Sequence, residues 1–298
     1  MEQFIFMETL TACPICKSKE FLPFLTCKDY TASKENFNLV ACRSCAFVFT
    51  NPRPKQDEIG RYYQVENYIS HTGTQTGLVN KLYHFARKFT LKQKLKLINS
   101  LSQKGSLLDI GCGTGNFLQV VKTDGWKVTG VEPDPAARKL AIETCGESIH
   151  EEAFLSKLEN QKFDIITMWH VLEHVHELDQ RVIQLKNLLQ PGGRLIVAVP
   201  NCASKDAAHY KQFWGAYDVP RHLYHFKPQD IKTLFEKNLF EVEKILPMKL
   251  DSFYVSILSE KYKGGNMLSG IWQGLRSNLH ASNNFGTHSS QIYIIKHK

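Results

Sequence analysis

The sequence predicts an α/β protein: a doubly wound, mostly parallel sheet of seven strands behind a small cysteine-bearing head. Three observations predict it. From Gly105 onward, short apolar runs alternate with amphipathic stretches of helical length, the pattern of parallel strands joined by crossover helices. The first of those runs opens directly into a glycine-rich turn. Upstream, two C-x-x-C turns stand in a segment too short to bury a core of its own.

In chain order, the head occupies residues 1–54 and closes at Asn51-Pro52-Arg53-Pro54, where two prolines break any regular element. Residues 55–104 are rich in tyrosine and lysine, and from Leu78 to Asn99 their apolar positions recur at helical spacing, so this zone reads as a helical lead-in or lid. Residues 105–298 hold the sheet. The expected strands are Ser106 to Ile110, Lys127 to Val131, a short one near Ser148 to His150, Phe163 to Met168, Arg194 to Pro200, Glu241 to Leu246 and Gln291 to Lys296. A long connection, 249–290, precedes the last strand, with a helix expected at Ser252 to Tyr262 and a Gly-, Ser- and Asn-rich remainder. Connections of that length in compact domains are usually functional or mobile.

Composition narrows the class. With 43% hydrophobic and 22% charged residues in 298, the chain has the make-up of a folded protein. A formal charge of +8 favours an anionic partner: a phosphorylated or carboxylated small molecule, nucleic acid or a membrane surface. No apolar run is long enough to span a bilayer, and Met1 to Ala12 lacks the basic start and apolar stretch of a secretory signal, so a cytoplasmic location is expected. Reduced cysteines follow from that expectation.

The segment Leu107-Leu108-Asp109-Ile110-Gly111-Cys112-Gly113-Thr114-Gly115 runs from strand into turn, with a helix starting near Asn116. Glycines let the backbone turn sharply and approach a ligand, and the helix N-terminus offers free N–H groups at the carboxyl end of the strand. A dinucleotide fingerprint would read G-x-G-x-x-G, whereas this turn reads G-x-G-x-G behind Asp109. The next strand ends in Glu132, where an acid accepts hydrogen bonds from the ribose hydroxyls of a nucleoside.

D-I-G-C-G-T-G, then V-E-P-D at Val131 to Asp134 and L-Q-P-G-G-R-L-I-V at Leu189 to Val197 resemble the motifs of class I S-adenosylmethionine (SAM)-dependent methyltransferases, a likeness covering roughly Gly105 to the C-terminus. The resemblance implies SAM as cofactor, held by Asp109, Gly111, Gly113, Gly115 and Glu132, with Glu152 or its backbone neighbours near the adenine.

After the fourth strand, Trp169-His170-Val171-Leu172-Glu173-His174-Val175 reads as the start of a helix with His170, Glu173 and His174 on one face. H-x-x-E-H is also an inverted zinc-protease motif, which makes a metallopeptidase the remote alternative. The stretch resembles the L-E-H-V segment of quinone-pathway O-methyltransferases, where the corresponding helix can carry a divalent metal, but His170 stands where those enzymes have an acid.

Beyond the fifth strand, Phe213 to Phe226 gathers aromatic, imidazole and charged groups, and its core resembles the D-x-P-R-H-L-x-H-F stretch of a broad group of bacterial class I methyltransferases. Methyl transfer needs an aligned nucleophile, and a base only where the acceptor must lose a proton. His222 or His225 is the expected base, Arg221 a clamp for a substrate anion, and Trp214 with Tyr217 the walls excluding water. The competing structural reading pairs Arg221 with Asp218, uses the histidines to cap a helix near Pro228, and places the aromatics in the core.

In the head, Cys13-Pro14-Ile15-Cys16 and Cys42-Arg43-Ser44-Cys45 lie twenty-five residues apart, close to the two-knuckle pattern of a four-cysteine zinc ribbon. Lys17 and Ala46 follow the pairs where knuckles often have glycine. A redox role for C-x-x-C needs a thioredoxin-like βαβ context, which the head lacks. Knuckles followed by Phe47-Val48-Phe49-Thr50-Asn51-Pro52-Arg53-Pro54 resemble the N-terminal module of methyltransferases of sugar, polyketide or cell-surface pathways. Cys27, Cys112, Cys145 and Cys202 read as buried packing residues.

The expected function is transfer of the SAM methyl group to oxygen or carbon of a small or carrier-linked metabolite. The alternative is an RNA methyltransferase gripping nucleic acid with its zinc head, against which the head shows no basic stripe with interleaved aromatics and no N-P-P-Y or D-P-P-Y follows the fourth strand. A binding protein with a vestigial SAM fold is the third reading.

Overall fold

A computed structural model of the chain describes residues 6–63, 78–146, 148–158 and 161–298, with backbone alone for 78–86. The head contains β1 (Met7–Glu8), β2 (Phe21–Lys28), β3 (Asn36–Cys42), β4 (Val48–Thr50) and β5 (Arg53–Pro54). Then follow α1 (Leu78–Leu101), β6 (Ser106–Ile110), α2 (Asn116–Thr123), β7 (Lys127–Val131), α3 (Pro135–Cys145), β8 (Ile149–His150) and β9 (Phe163–Trp169). The remainder comprises α4 (Leu178–Leu188), β10 (Leu189–Pro200), α5 (Lys205–Tyr210), β11 (Tyr224–His225), α6 (Pro228–Glu236), β12 (Phe240–Pro247), α7 (Asp251–Lys263), α8 (Met267–Asn283) and β13 (Ser290–His297).

Seven strands form one sheet in the order β12-β13-β10-β9-β6-β7-β8. Leu107, Leu108, Ile165, Ile166, Ile196 and Val197 are all fully buried, because β6, β9 and β10 have helices on both faces; continuous apolar runs are what such strands require. β10, β9, β6, β7 and β8 run parallel, and β13 is antiparallel to both β10 and β12. The chain moves from β6 outward through β7 to β8, then crosses back to β9 on the other side of β6. That reversal is a topological switch point, and the crevice it opens lies over the carboxyl ends of β6 and β9, where Gly111 and His170 follow.

The head is built into this core. Cys13, Phe47 and Phe49 lie in the same buried cluster as Leu108, Ile166 and Val197. Its sheet, ordered β11-β4-β3-β2, takes β11 from the segment after β10, with Tyr224 paired to Phe49 and His225 to Val48.

The seven expected strands are present, with small shifts at their ends. β10 begins earlier than expected, at Leu189, because a register irregularity between Leu189 and Arg194 absorbs Pro191-Gly192-Gly193, Gly192 taking φ +81°. Two expectations are corrected. The Gly-, Ser- and Asn-rich remainder of 249–290 forms α8: a Cβ on Gly270 would stand 2.6 Å from the Ile257 Cα and one on Gly274 2.9 Å from the Phe253 Cα, so the small residues let α8 close onto α7. The helix expected from His170 is only a 3-10 turn, Leu172–His174, because His170 adopts φ +57°. Part of the expected lead-in, 64–77, lies outside the described residues.

Candidate functional site

At the end of β6 the glycine turn wraps the carboxyl end of β7. Gly111 and Cys112 donate backbone N–H bonds to the Val131 carbonyl (2.7 and 3.1 Å), and Gly113 N–H donates to Glu132 Oε2 (2.7 Å). Gly111, Gly113 and Gly115 have φ of +72°, +55° and +77°, a region that favours glycine. Their neighbourhoods differ. A Cβ on Gly111 would meet Val171 Cγ2 at 2.4 Å and one on Gly115 the Ala141 Cα at 3.1 Å, whereas a Cβ on Gly113 would meet nothing within 4 Å. Gly111 and Gly115 therefore serve close packing, and Gly113 borders open space.

Glu132 is buried, which raises its carboxyl pKa against the N–H groups of Asp134 and Gly113. Its Oε1 accepts from Asp134 N–H (2.9 Å), and the remaining lone pairs are available to ligand hydroxyls. Asp109, on β6, accepts from the Thr167 hydroxyl (2.6 Å). Burial pushes its carboxyl up to about 7 against Thr167 and the neighbouring Lys94 ammonium. Lys94, from α1, stands 4.1 Å from the Trp169 ring centroid, and burial lowers it to about 8 although Asp109 and Asp251 oppose the shift. Gly113 thus borders open space next to Glu132, with Asp109 and Lys94 adding an acid and a cation to the same neighbourhood. Glu152 ion-pairs with Arg181 and adds negative potential at Glu132.

The loop after β9 forms a second group. His170 Nε2 donates to Asp251 Oδ2 (3.1 Å) at the start of α7, and its Nδ1 is 3.5 Å from Glu173 Oε1. Burial disfavours the His170 cation, but the two carboxylates outweigh it and raise the imidazole to about 10. Glu173 is fully buried, and neither carboxylate oxygen has a hydrogen-bond partner among the described residues. His174 Nδ1 contacts the Arg221 carbonyl (3.0 Å) and the Tyr63 hydroxyl (2.9 Å), while His222 Nδ1 contacts the Ala216 carbonyl (2.8 Å). Carbonyls only accept, so each Nδ1 carries a proton, and the neutral form of each ring presents its lone pair on Nε2. Burial, then the neighbouring His222, lowers His174 to about 4. Glu173, His174 and His222 offer ligand atoms within 4.8 Å of one another, a donor set that suits a divalent cation. His170 is outside that group: its left-handed backbone turns it to Asp251, so the paired-histidine zinc site of an inverted protease motif does not form.

Four residues expected to contact substrate are held by partners within the protein. Arg221 is buried, with Nε and Nη2 donating to Asp218 (3.0 and 2.6 Å), Nη2 to Asp29 (3.1 Å) and Nη1 to the Tyr62 carbonyl (3.0 Å), which leaves no fork for a substrate anion. Trp214 is buried and donates its Nε1–H to Asp206 (2.8 Å); Tyr217 packs edge-on against it with centroids 4.9 Å apart. His225 is buried in β11 beside Thr50, and burial holds its imidazole neutral. Of the two histidines expected as base, only His222 adjoins the Glu173 and His174 group.

A family model described as a methyltransferase domain matches residues 82–245, more than half of the chain. The chain belongs to the methyltransferase-domain family. Ubiquinone biosynthesis O-methyltransferase of Rickettsia typhi is 22% identical over 203 residues, covering 63% of this methyltransferase and 80% of the relative. The enzyme of the same name from Nitrosococcus oceani is 29% identical over 174 residues, covering 53% and 71%. The crystal structure of magnesium protoporphyrin IX methyltransferase from Synechocystis PCC 6803 with bound SAH superposes with a TM-score of 0.55 at 16% identity, over 82% of this chain and all of that one, which establishes the shared fold. The fold is thus that of class I SAM-dependent methyltransferases, and the glycine turn lies within the matched residues.

The methyltransferase carries its four head cysteines together. Cys13 Sγ and Cys45 Sγ are 3.6 Å apart, Cys16 Sγ and Cys42 Sγ 3.4 Å, and all four lie within 4.8 Å of one another. Tetrahedral zinc with Zn–S of about 2.3 Å separates its sulfurs by roughly 3.8 Å, so the set fits. Lys17 and Ala46 have φ of +64° and +58° and donate N–H bonds to the carbonyls of Cys13 and Cys42 (3.0 and 2.8 Å), so both knuckles take the turn for which glycine is usual. Cys27, Cys112 and Cys145 are buried and Cys202 is half-buried. Lys94, Thr167 and Asp251 escaped the sequence reading: each lies alone on its element, and nothing in its spacing marks it.

Proposed function

We propose that this methyltransferase transfers the SAM methyl group to an oxygen of a small hydroxyl-bearing metabolite. The observation that carries the reading is the packing, at the switch point, of Gly111 of the glycine turn against Val171, which opens the loop that bears Glu173 and His174 beside His222. The ubiquinone-pathway O-methyltransferases among its relatives support oxygen as the acceptor atom.

When bound, SAM supplies an electrophilic methyl group on a sulfonium. Glu132 would accept from the ribose hydroxyls, Gly113 would leave room for them, and Asp109 would offer a carboxylate to the cationic amino-acid end. His222 Nε2 removes the acceptor proton, and the buried Glu173 carboxylate stabilises the imidazolium that results. Cys13, Cys16, Cys42 and Cys45 would hold a zinc ion that would fix the head, whose Thr50 donates to the His222 carbonyl (3.0 Å) and to the Leu223 carbonyl (2.9 Å). A second reading, a divalent cation that Glu173, His174 and His222 would share and that would polarise the acceptor oxygen, is favoured by the buried Glu173 carboxylate, whose ion-pair partner among the described residues is His170, 3.5 Å from Oε1.

The test is SAH release across phenolic, catecholic and carrier-linked hydroxyl acceptors, repeated with His222→Ala and with chelator present. A loss in kcat of about 10²–10⁴-fold in the variant at unchanged SAM affinity supports the base. SAM binding with no turnover on any hydroxyl acceptor defeats the proposal.

A further inference from the structure

Helix α8 is amphipathic the wrong way round for a helix of a soluble core. Its buried residues are the small ones, Gly270, Gly274, Ser277 and Ala281, and its large apolar residues face outward: Leu268 is 78% exposed, Trp272 59%, Leu275 39% and Leu279 58%. At about 100° per residue those four positions fall within roughly 60° of one another, opposite the small face. Such a stripe on a surface helix marks an interaction site. Beyond the helix Phe285 is 83% exposed, and beside it opens a largely apolar groove of about 310 Å³ lined by Ile245, Leu246 and Pro247.

Charge selects the occupant. From Lys261 to Lys298 the sequence contains no Asp or Glu, and Lys261 and Lys263 at the end of α7 and Arg276 on α8 are exposed. Lys263 and Arg276 both act on His209, so they lie on one side of the α7–α8 hairpin. A second copy of the chain joined through this face would set one basic rim close to another with no acid between them, since a two-fold interface joins the same patch of both copies. An anionic bilayer answers both features: acyl chains take the Leu and Trp side chains, and headgroups take the Lys and Arg rim. No helix among the described residues is long and apolar enough to cross a membrane, so the contact is peripheral.

We infer that α8 is an interfacial helix that seats the enzyme on an anionic lipid surface, with its Leu268, Trp272, Leu275 and Leu279 stripe in the headgroup and acyl boundary. The position serves the site, because α7, on which α8 packs, begins at Asp251, the partner of His170. The inference does not depend on which atom is methylated.

The full zinc-replete chain is sedimented with vesicles of phosphatidylcholine alone and of phosphatidylcholine with phosphatidylglycerol, and tryptophan emission is quenched with brominated acyl chains. Expected is binding to the anionic vesicles with quenching, weakened at least tenfold in a Leu268→Ser, Trp272→Ser, Leu275→Ser variant whose SAM affinity is unchanged. Arg276→Glu removes the preference for anionic vesicles. The inference is overturned by failure to bind anionic vesicles, by equal binding of the triple variant, or by a concentration-dependent dimer that the triple variant abolishes.

Discussion

Replacing Arg221 by alanine separates its structural role from a substrate-binding one. The guanidinium sits between Asp29 and Asp218, with side-chain exposures of 1%, 0% and 23%, and donates four hydrogen bonds, one of them to the Tyr62 carbonyl. Removing one member of a buried ion pair costs about 3–5 kcal/mol, because the remaining charge stays desolvated. At a few degrees per kcal/mol, the melting temperature falls by roughly 10 °C. Burial raises the Asp29 and Asp218 carboxyls, and Arg221 outweighs that and holds both below the usual range. Groups with depressed pKa stabilise above their unfolded pKa near 4 and lose that contribution as pH falls below it, so the gap between parent and variant is widest at neutral pH and narrows on acidification. Calorimetric melts from pH 3 to 8, with SAM titration of the folded variant, make the measurement. An unchanged melting temperature with a raised acceptor KM would refute the structural assignment and restore the clamp.

Gly113→Arg fills the open space over the turn and abolishes SAM binding with a melting temperature within a few degrees of the parent, whereas Gly111→Ala drives a methyl group into Val171 and lowers the melting temperature; calorimetric titration and melting read both, and SAM binding by Gly113→Arg would move the cofactor elsewhere. Atomic emission should find one zinc per chain, lost in Cys42→Ser, and chelation should slow turnover more than it weakens SAM binding, because the head reaches His222 through Thr50; turnover untouched by zinc loss contradicts that route. His170, raised to about 10 by Asp251 and Glu173, contributes stability that is complete below its unfolded pKa near 6.5 and lost as pH rises through about 10. The stability difference between parent and Asp251→Asn should therefore shrink between pH 7 and 10, and a difference independent of pH would show that the His170 cation is not involved.

The cofactor crevice was legible in the sequence because its parts are local. Strand, glycine turn and helix occupy consecutive residues from Ser106 to Thr123, and Glu132 ends the very next strand, so spacing alone brings Gly113 N–H to Glu132. The two knuckles are local in the same sense. The segment from Trp214 to His225 was harder to read, because its residue types suit either chemistry or packing, and the choice rests on partners distant in the chain: Asp29 for Arg221, Thr50 for His225, Asp206 for Trp214. Composition misled at 267–283, where glycine and serine resemble loop until a second helix is packed on them.

What the sequence by itself determined is thus the seven-strand sheet, the glycine turn with its acid, and the cysteine spacing, since hydrophobic period and backbone sterics act over a few residues. Only the tertiary structure decided that the head lends its sheet to the segment after β10, that Arg221 is spent on two carboxylates, and that Glu173 meets His222. Those outcomes depend on which distant groups share a desolvated space, and burial there turns an ordinary charged or imidazole side chain into either a strut or a reactive group.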